Sequence, residues 1–124
     1  MWKKNQGRNK GDAAEQYALA YLKQQGLTLI TQNYHCRQGE IDLIMQTNET
    51  VVFVEVRLRK NNRFGSATES VTHAKQQKLI KTANHFLTTS NRHQQPCRFD
   101  VVGLTGNTFD KIEWIQDAFY QELL

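Results

Sequence analysis

Three carboxylates stand inside segments that otherwise read as buried strands. Glu40 and Asp42 lie in Glu40-Ile41-Asp42-Leu43-Ile44-Met45, and Glu55 lies in Val51-Val52-Phe53-Val54-Glu55-Val56-Arg57-Leu58. Side chains alternate between faces along a strand. Glu40, Asp42 and Ile44 therefore share one face of the first, and Val51, Phe53, Glu55 and Arg57 share one face of the second. A hairpin with an even loop sets Asp42 opposite Glu55 and Glu40 opposite Arg57, with Cβ atoms about 4.5–5.5 Å apart. The Glu40–Arg57 pair neutralises itself and reads equally as a structural ion pair. Asp42 and Glu55 repel each other, so either one keeps a proton or a cation lies between them. Two converging carboxylates suit an oxygen-liganded divalent ion such as Mg²⁺ or Mn²⁺. A surface edge or a different register would be the plain alternative.

Two helical segments bring further groups toward these carboxylates. Glu15 shares a face with Ala18, Leu19 and Leu22 and can point toward a sheet; with Asp12 it could instead form a capping box. In the second helix Thr72 and Gln76 fall on the face of Leu79, Ile80, Ala83 and Phe86, with Lys75 at its border and Lys78 and Lys81 outward. Polar groups on an inward face at a helix start suit an anion beneath it, although Thr72 serves equally as an N-cap.

The elements that must hold these groups follow from periodicity. Asp12 to Gln25 is helical, stopped by Gly26. A strand runs from Leu27 to Asn33, then the two acidic strands joined by a turn over residues 47–50. The near-continuous β-branched run from Val51 marks a central strand covered on both faces. A basic loop spans Arg59 to Gly65, a helix Ser70 to Thr88, and Phe99–Leu104 with Phe109–Ile115 forms a closing hairpin. The order implies an α/β fold, a mixed sheet of about five strands flanked by helices.

Composition narrows the function. The chain has 124 residues and a net charge of +4, enough for one domain: a basic arm over residues 1–10 and a single domain over 11–124. The longest apolar run, Val51 to Val54, is far short of a membrane span, and no apolar stretch follows the basic start as a secretory signal requires. Cys36 and Cys97 suit free thiols in a reducing cytoplasm; with His35 and His93 they match no usual zinc spacing. No phosphate-loop, dinucleotide or nucleophile-elbow motif occurs. Charge is segregated: residues 57–98 hold nine basic groups and one acid, whereas 99–124 hold one basic group and five acids. A cationic middle suits a polyanion, with Arg59, Lys60 and Arg63, and then Thr72, Lys75 and Gln76, as the nucleic-acid-binding candidates.

Gly39-Glu40-Ile41-Asp42-Leu43-Ile44, Val52-Phe53-Val54-Glu55-Val56-Arg57, Val71-Thr72 with Lys75-Gln76, and Arg98-Phe99-Asp100-Val101-Val102 resemble, in order and spacing, the YraN family of uncharacterised bacterial proteins. The resemblance covers about residues 7 to 119. It implies a restriction-endonuclease-like fold, shared with Holliday junction resolvases, in which a helix glutamate, an aspartate and a Glu-x-Lys triplet form the site. Under it Glu15 matches the helix glutamate, Asp42 the metal-binding aspartate and Glu55 the second metal ligand. Arg57 stands where the triplet has lysine. A guanidinium stays charged and cannot act as a general base, which leaves water activation to the metal and charge stabilisation to Arg57. The expectation is a cytoplasmic, Mg²⁺- or Mn²⁺-dependent nuclease acting on structured or branched DNA. The alternative is a non-catalytic nucleic-acid-binding module with a degenerate site. An exposed closing strand would permit a homodimer.

Overall fold

Apolar content decides which strand lies in the middle. In the computed structural model, which describes residues 9–61 and 65–119, α1 (Asn9–Gln24) leads into β1 (Thr28–Cys36), β2 (Gly39–Thr47) and β3 (Thr50–Arg59). A 3-10 turn (Thr68–Ser70) and α2 (His73–Thr89) follow, then β4 (Cys97–Thr105) and β5 (Lys111–Phe119). The strands form one sheet in chain order. β3, buried continuously from Val51 to Glu55, is its third strand. Only β3 and β4 run parallel among the described strands. A parallel neighbour cannot be reached by a tight turn, and the crossover carries α2 over one face.

Each face of the sheet has its own core. On one, Leu79, Ile80, Ala83, Phe86 and Leu87 of α2 pack on Ile44, Val51, Phe53, Phe99 and Val101. On the other, Ala14, Ala18, Leu19 and Leu22 of α1 pack on Leu43, Met45, Val52, Val54, Val102 and Leu104. The alternation of β3 thus feeds both layers, and its central Phe53 stacks on Phe99 at 5.3 Å between centroids. Truncating such a side chain to Ala costs about 3–5 kcal/mol. No helix among the described residues is long and apolar enough to cross a membrane.

Several boundaries differ from the sequence expectation, most of all those of α1 and β5. α1 already includes Asn9 and Lys10, which the sequence assigns to the arm; residues 1–8 lie outside the described residues. Asp12 therefore sits within the first turn and is not the N-cap, which removes the capping-box role for Glu15. β5 is shifted toward the C-terminus, because Phe109 adopts φ 55 in the turn and packs against Tyr17 of α1 at 5.2 Å.

Candidate active site where two strands part

The β2–β3 register is the expected one over Leu43↔Val54, Ile44↔Phe53, Met45↔Val52, Gln46↔Val51 and Thr47↔Thr50. It stops there. Ile41 joins Ile44 in the α2-side core whereas Leu43 joins the α1 side, so strict alternation breaks at Asp42. The three residues Glu40, Asp42 and Ile44 do not share a regular face, and Asp42 is not laddered opposite Glu55. Its carboxylate instead takes the place of a strand carbonyl: Oδ2 accepts the Val56 N–H at 2.8 Å. The parting of β2 and β3 opens a recess into which α1 and α2 both reach.

Glu15, Asp42 and Glu55 are brought together there. Asp42 is pushed up to about 8, first by burial and then by the negative charge of Glu55, against the Val56 hydrogen bond that favours its ionised form. Glu15 is also raised, mainly by burial and by the neighbouring acids, while hydrogen bonds to Asp42 and Asn33 act the other way. Glu55, with 6% of its surface exposed, is met by two cations. Lys75 Nζ approaches its Oε2 at 3.1 Å and Arg57 Nη1 at 3.5 Å.

Arg57 does not face Glu40, which is exposed and takes part in no ion pair among the described residues. Its Nε donates to Ser70 Oγ at 3.0 Å and Nη2 to the Ser70 carbonyl at 3.5 Å. A missing side chain explains how Ser70 comes so near. Gly103 is the β4 partner of Arg57, and a Cβ there would stand 2.5 Å from the Cβ of buried Ala67. The glycine lets the 3-10 turn settle on the sheet beside Arg57. A glycine amid Val101, Val102 and Leu104 is the sequence signal for such a close approach; Ser70 itself carries none.

The other candidates are placed less centrally. Thr72 is the N-cap of α2, its hydroxyl accepting the Lys75 N–H at 3.2 Å. Gln76 bonds back to the Val71 carbonyl at 3.1 Å. Arg59 donates to the Gly65 carbonyl at 2.7 Å and Lys60 is exposed, while Arg63 lies outside the described residues. Cys36 and Cys97 are not in a disulfide among the described residues.

The donor set suits a hard divalent cation, being all oxygen and mutually repelling. Among the described residues no three acidic, histidine or cysteine side chains form a ready-made metal cage. Mg²⁺ does not need one: one or two carboxylates, waters and a substrate phosphate complete its shell. Asp42 and Glu55 are the two that would hold it.

Comparison with known proteins agrees with the resemblance. The model of the family described as "Uncharacterised protein family UPF0102" matches residues 14–104, which takes in every residue of the recess. A UPF0102 protein of Nitrosomonas europaea is 57% identical over 90% of this chain and 93% of its own. One from Nitrosococcus oceani is 53% identical over 93% of this chain and 94% of its own. One from Alcanivorax borkumensis is 48% identical over 97% and 95%. Matches of this extent mean that the chain belongs to the UPF0102 family.

Proposed function

We propose that this protein is a divalent-metal-dependent nuclease that hydrolyses phosphodiester bonds in DNA. The observation that carries the reading is the convergence of Glu15, Asp42 and Glu55 at the point where β2 and β3 part. A fold spends stability to hold three acids in a recess chiefly where the strain has a use. Mg²⁺ or Mn²⁺ held by Asp42 and Glu55 would supply a polarised phosphate and a water of lowered pKa. Glu15, close enough to Asp42 for the two carboxyls to influence each other, adds a third oxygen donor to the recess. Arg57, held by Ser70, keeps a permanent positive charge at the rim, where it can face a phosphate oxygen. Two cysteines outside any disulfide and a DNA substrate are both compatible with the cytoplasm.

A second reading draws on the ion pairs of Glu55. Lys75 and Arg57 already neutralise it, as they would in a nucleic-acid-binding module that no longer cuts. Incubation with junction, flap, single-stranded and duplex DNA in Mn²⁺ separates the two. The first reading expects cleavage by the wild type and none by Asp42→Ala. Salt-sensitive binding without cleavage by either protein would select the second.

A further inference from the structure

α2 reaches the recess through Lys75, and the helix surface beyond it carries further cations. Lys75, the partner of Glu55, also lines a hollow of about 400 Å³ together with Lys78, Gly39 and Glu40. Farther along the helix, Lys81 and His85 line a second hollow of about 330 Å³. The β1–β2 turn rests on the helix between them. Gly39 there has φ 154, and a Cβ on it would stand 3.0 Å from Thr82 Oγ1. From residue 75 to residue 85 the helix rises about 15 Å. Among the described residues Glu40 is the one acid lining either hollow. The exposed ring of His85 is held in place, its Nδ1 hydrogen-bonded to the Tyr34 hydroxyl, and Tyr34 in turn packs edge-on against Phe86 at 5.2 Å.

We propose that the α2 face running from Lys75 through Lys78 and Lys81 to His85 binds single-stranded nucleic acid and leads the strand into the carboxylate recess. The inference rests on the nuclease reading and adds its substrate class, an unpaired strand. Glu55 is almost wholly covered, so a phosphate must enter the recess to meet it. A flexible strand can follow two nucleotide-sized hollows around the rib made by the β1–β2 turn. It can set phosphates against successive ammonium groups and lay a base on a fixed imidazole. Duplex DNA is stiff over about 150 base pairs and keeps its bases stacked. It can neither turn around the rib within that distance nor offer a base to His85.

Fluorescence anisotropy in metal-free buffer tests this with labelled oligo(dT) and oligo(rU) of about twelve nucleotides and a duplex of the same length. The single strands should bind more tightly than the duplex. Lys78→Glu/Lys81→Glu should weaken single-strand binding at least about tenfold and reduce the slope of log K against log salt by about 1.4, two phosphate contacts' worth. His85→Ala should weaken it about fivefold or more with the slope unchanged. Lys23→Glu/Lys111→Glu, a matched reversal at two exposed positions elsewhere, should retain the wild-type preference for single strands. A duplex bound as tightly as the single strands, or a Lys78→Glu/Lys81→Glu protein that binds like wild type, overturns the proposal. Hydrolysis of bis(p-nitrophenyl) phosphate in Mn²⁺ separates the two readings, because so small a diester needs only the recess. Hydrolysis with the binding pattern absent sinks the track alone. The binding pattern without hydrolysis sinks catalysis and leaves the track standing.

Discussion

Two aspartates in this sheet do the same structural job and end in opposite states. Asp42 stands where the β2–β3 ladder stops, and Asp100 where the β4–β5 ladder shifts register between Phe99 and Val101. In each case a carboxylate replaces a strand carbonyl. Asp42 takes the Val56 N–H at 2.8 Å, and Asp100 Oδ1 takes the Asp117 N–H at 2.9 Å, with Asp117 at φ 52. Their remaining partners differ. Asp100, 1% exposed, is gripped by Arg98 Nε at 3.0 Å and by Trp114 Nε1 at 2.9 Å. Asp42 meets Glu55 and Glu15 instead. The carboxylate that is fully paired serves the fold, and the one surrounded by like charge is the one available for chemistry.

The largest expected effect lies on the satisfied side. Asp100→Ala strands the Arg98 guanidinium, the Trp114 indole N–H and the Asp117 N–H together. Removing one partner of a buried pair costs about 3–5 kcal/mol, and denaturant unfolding should show a loss of that size. Asp42→Asn should have the opposite sign. The amide oxygen can still accept from Val56 while the repulsion from Glu55 disappears, so the metal-free protein should gain at least about 1 kcal/mol, or roughly 3–5 °C in Tm. If Asp42→Asn destabilises the chelated protein as Asp100→Ala does, the two sites are alike and the contrast fails. Mn²⁺ should raise the Tm of the wild type by mass action and leave Asp42→Asn nearly unmoved.

The same contrast has a pH signature. Asp42 is raised from its ordinary 3.8 to about 8 in the folded chain. Across that interval the folded protein holds a proton that the unfolded chain has released, and stability must therefore fall as pH rises. The contribution is complete below about pH 4 and gone above about pH 8. Metal-free wild type should lose stability steadily over this range, and Asp42→Asn should show a flatter profile. A wild-type profile as flat as the mutant's would mean that Asp42 is ionised throughout.

How far the sequence discloses this arrangement depends on the kind of order involved. The central strand, the two-faced core and the β2–β3 register follow from alternation and from the even turn at residues 47–50, all local or pairwise properties. Apolar strands carrying Asp42 and Glu55 announce the acids in the same way. The end of the ladder is not legible, because alternation assumes that the ladder goes on, and nothing in Ile41-Asp42-Leu43 marks the break. Lys75 reads as a helix-border residue, since its pairing with Glu55 requires knowing where the α2 crossover lands. Asp100 does not read as an anchor for a related reason: its bulge partner Asp117 belongs to a strand whose register the tail does not reveal.

The smallest effect concerns the pair that alternation alone would build. Were β2 and β3 laddered to their ends, Glu40 and Arg57 would face each other, and Glu40→Gln would remove a cross-strand ion pair. In the structure Glu40 is exposed and Arg57 belongs to Ser70 and Glu55. Glu40→Gln should therefore shift stability by no more than about 0.5 kcal/mol, as for an ordinary surface change. Ser70→Ala, which removes the acceptor 3.0 Å from Arg57 Nε, should cost more, about 1.5–3 kcal/mol, as expected for a hydrogen bond to a charged group. Combining Ser70→Ala with Arg57→Ala gives a double-mutant cycle whose coupling energy should be nonzero, while the Glu40→Gln/Arg57→Ala cycle should be additive. The reverse result would close the ladder that the structure leaves open. Asp42 would then have no break to fill, and the recess that gathers Glu15, Asp42 and Glu55 would lose its cause.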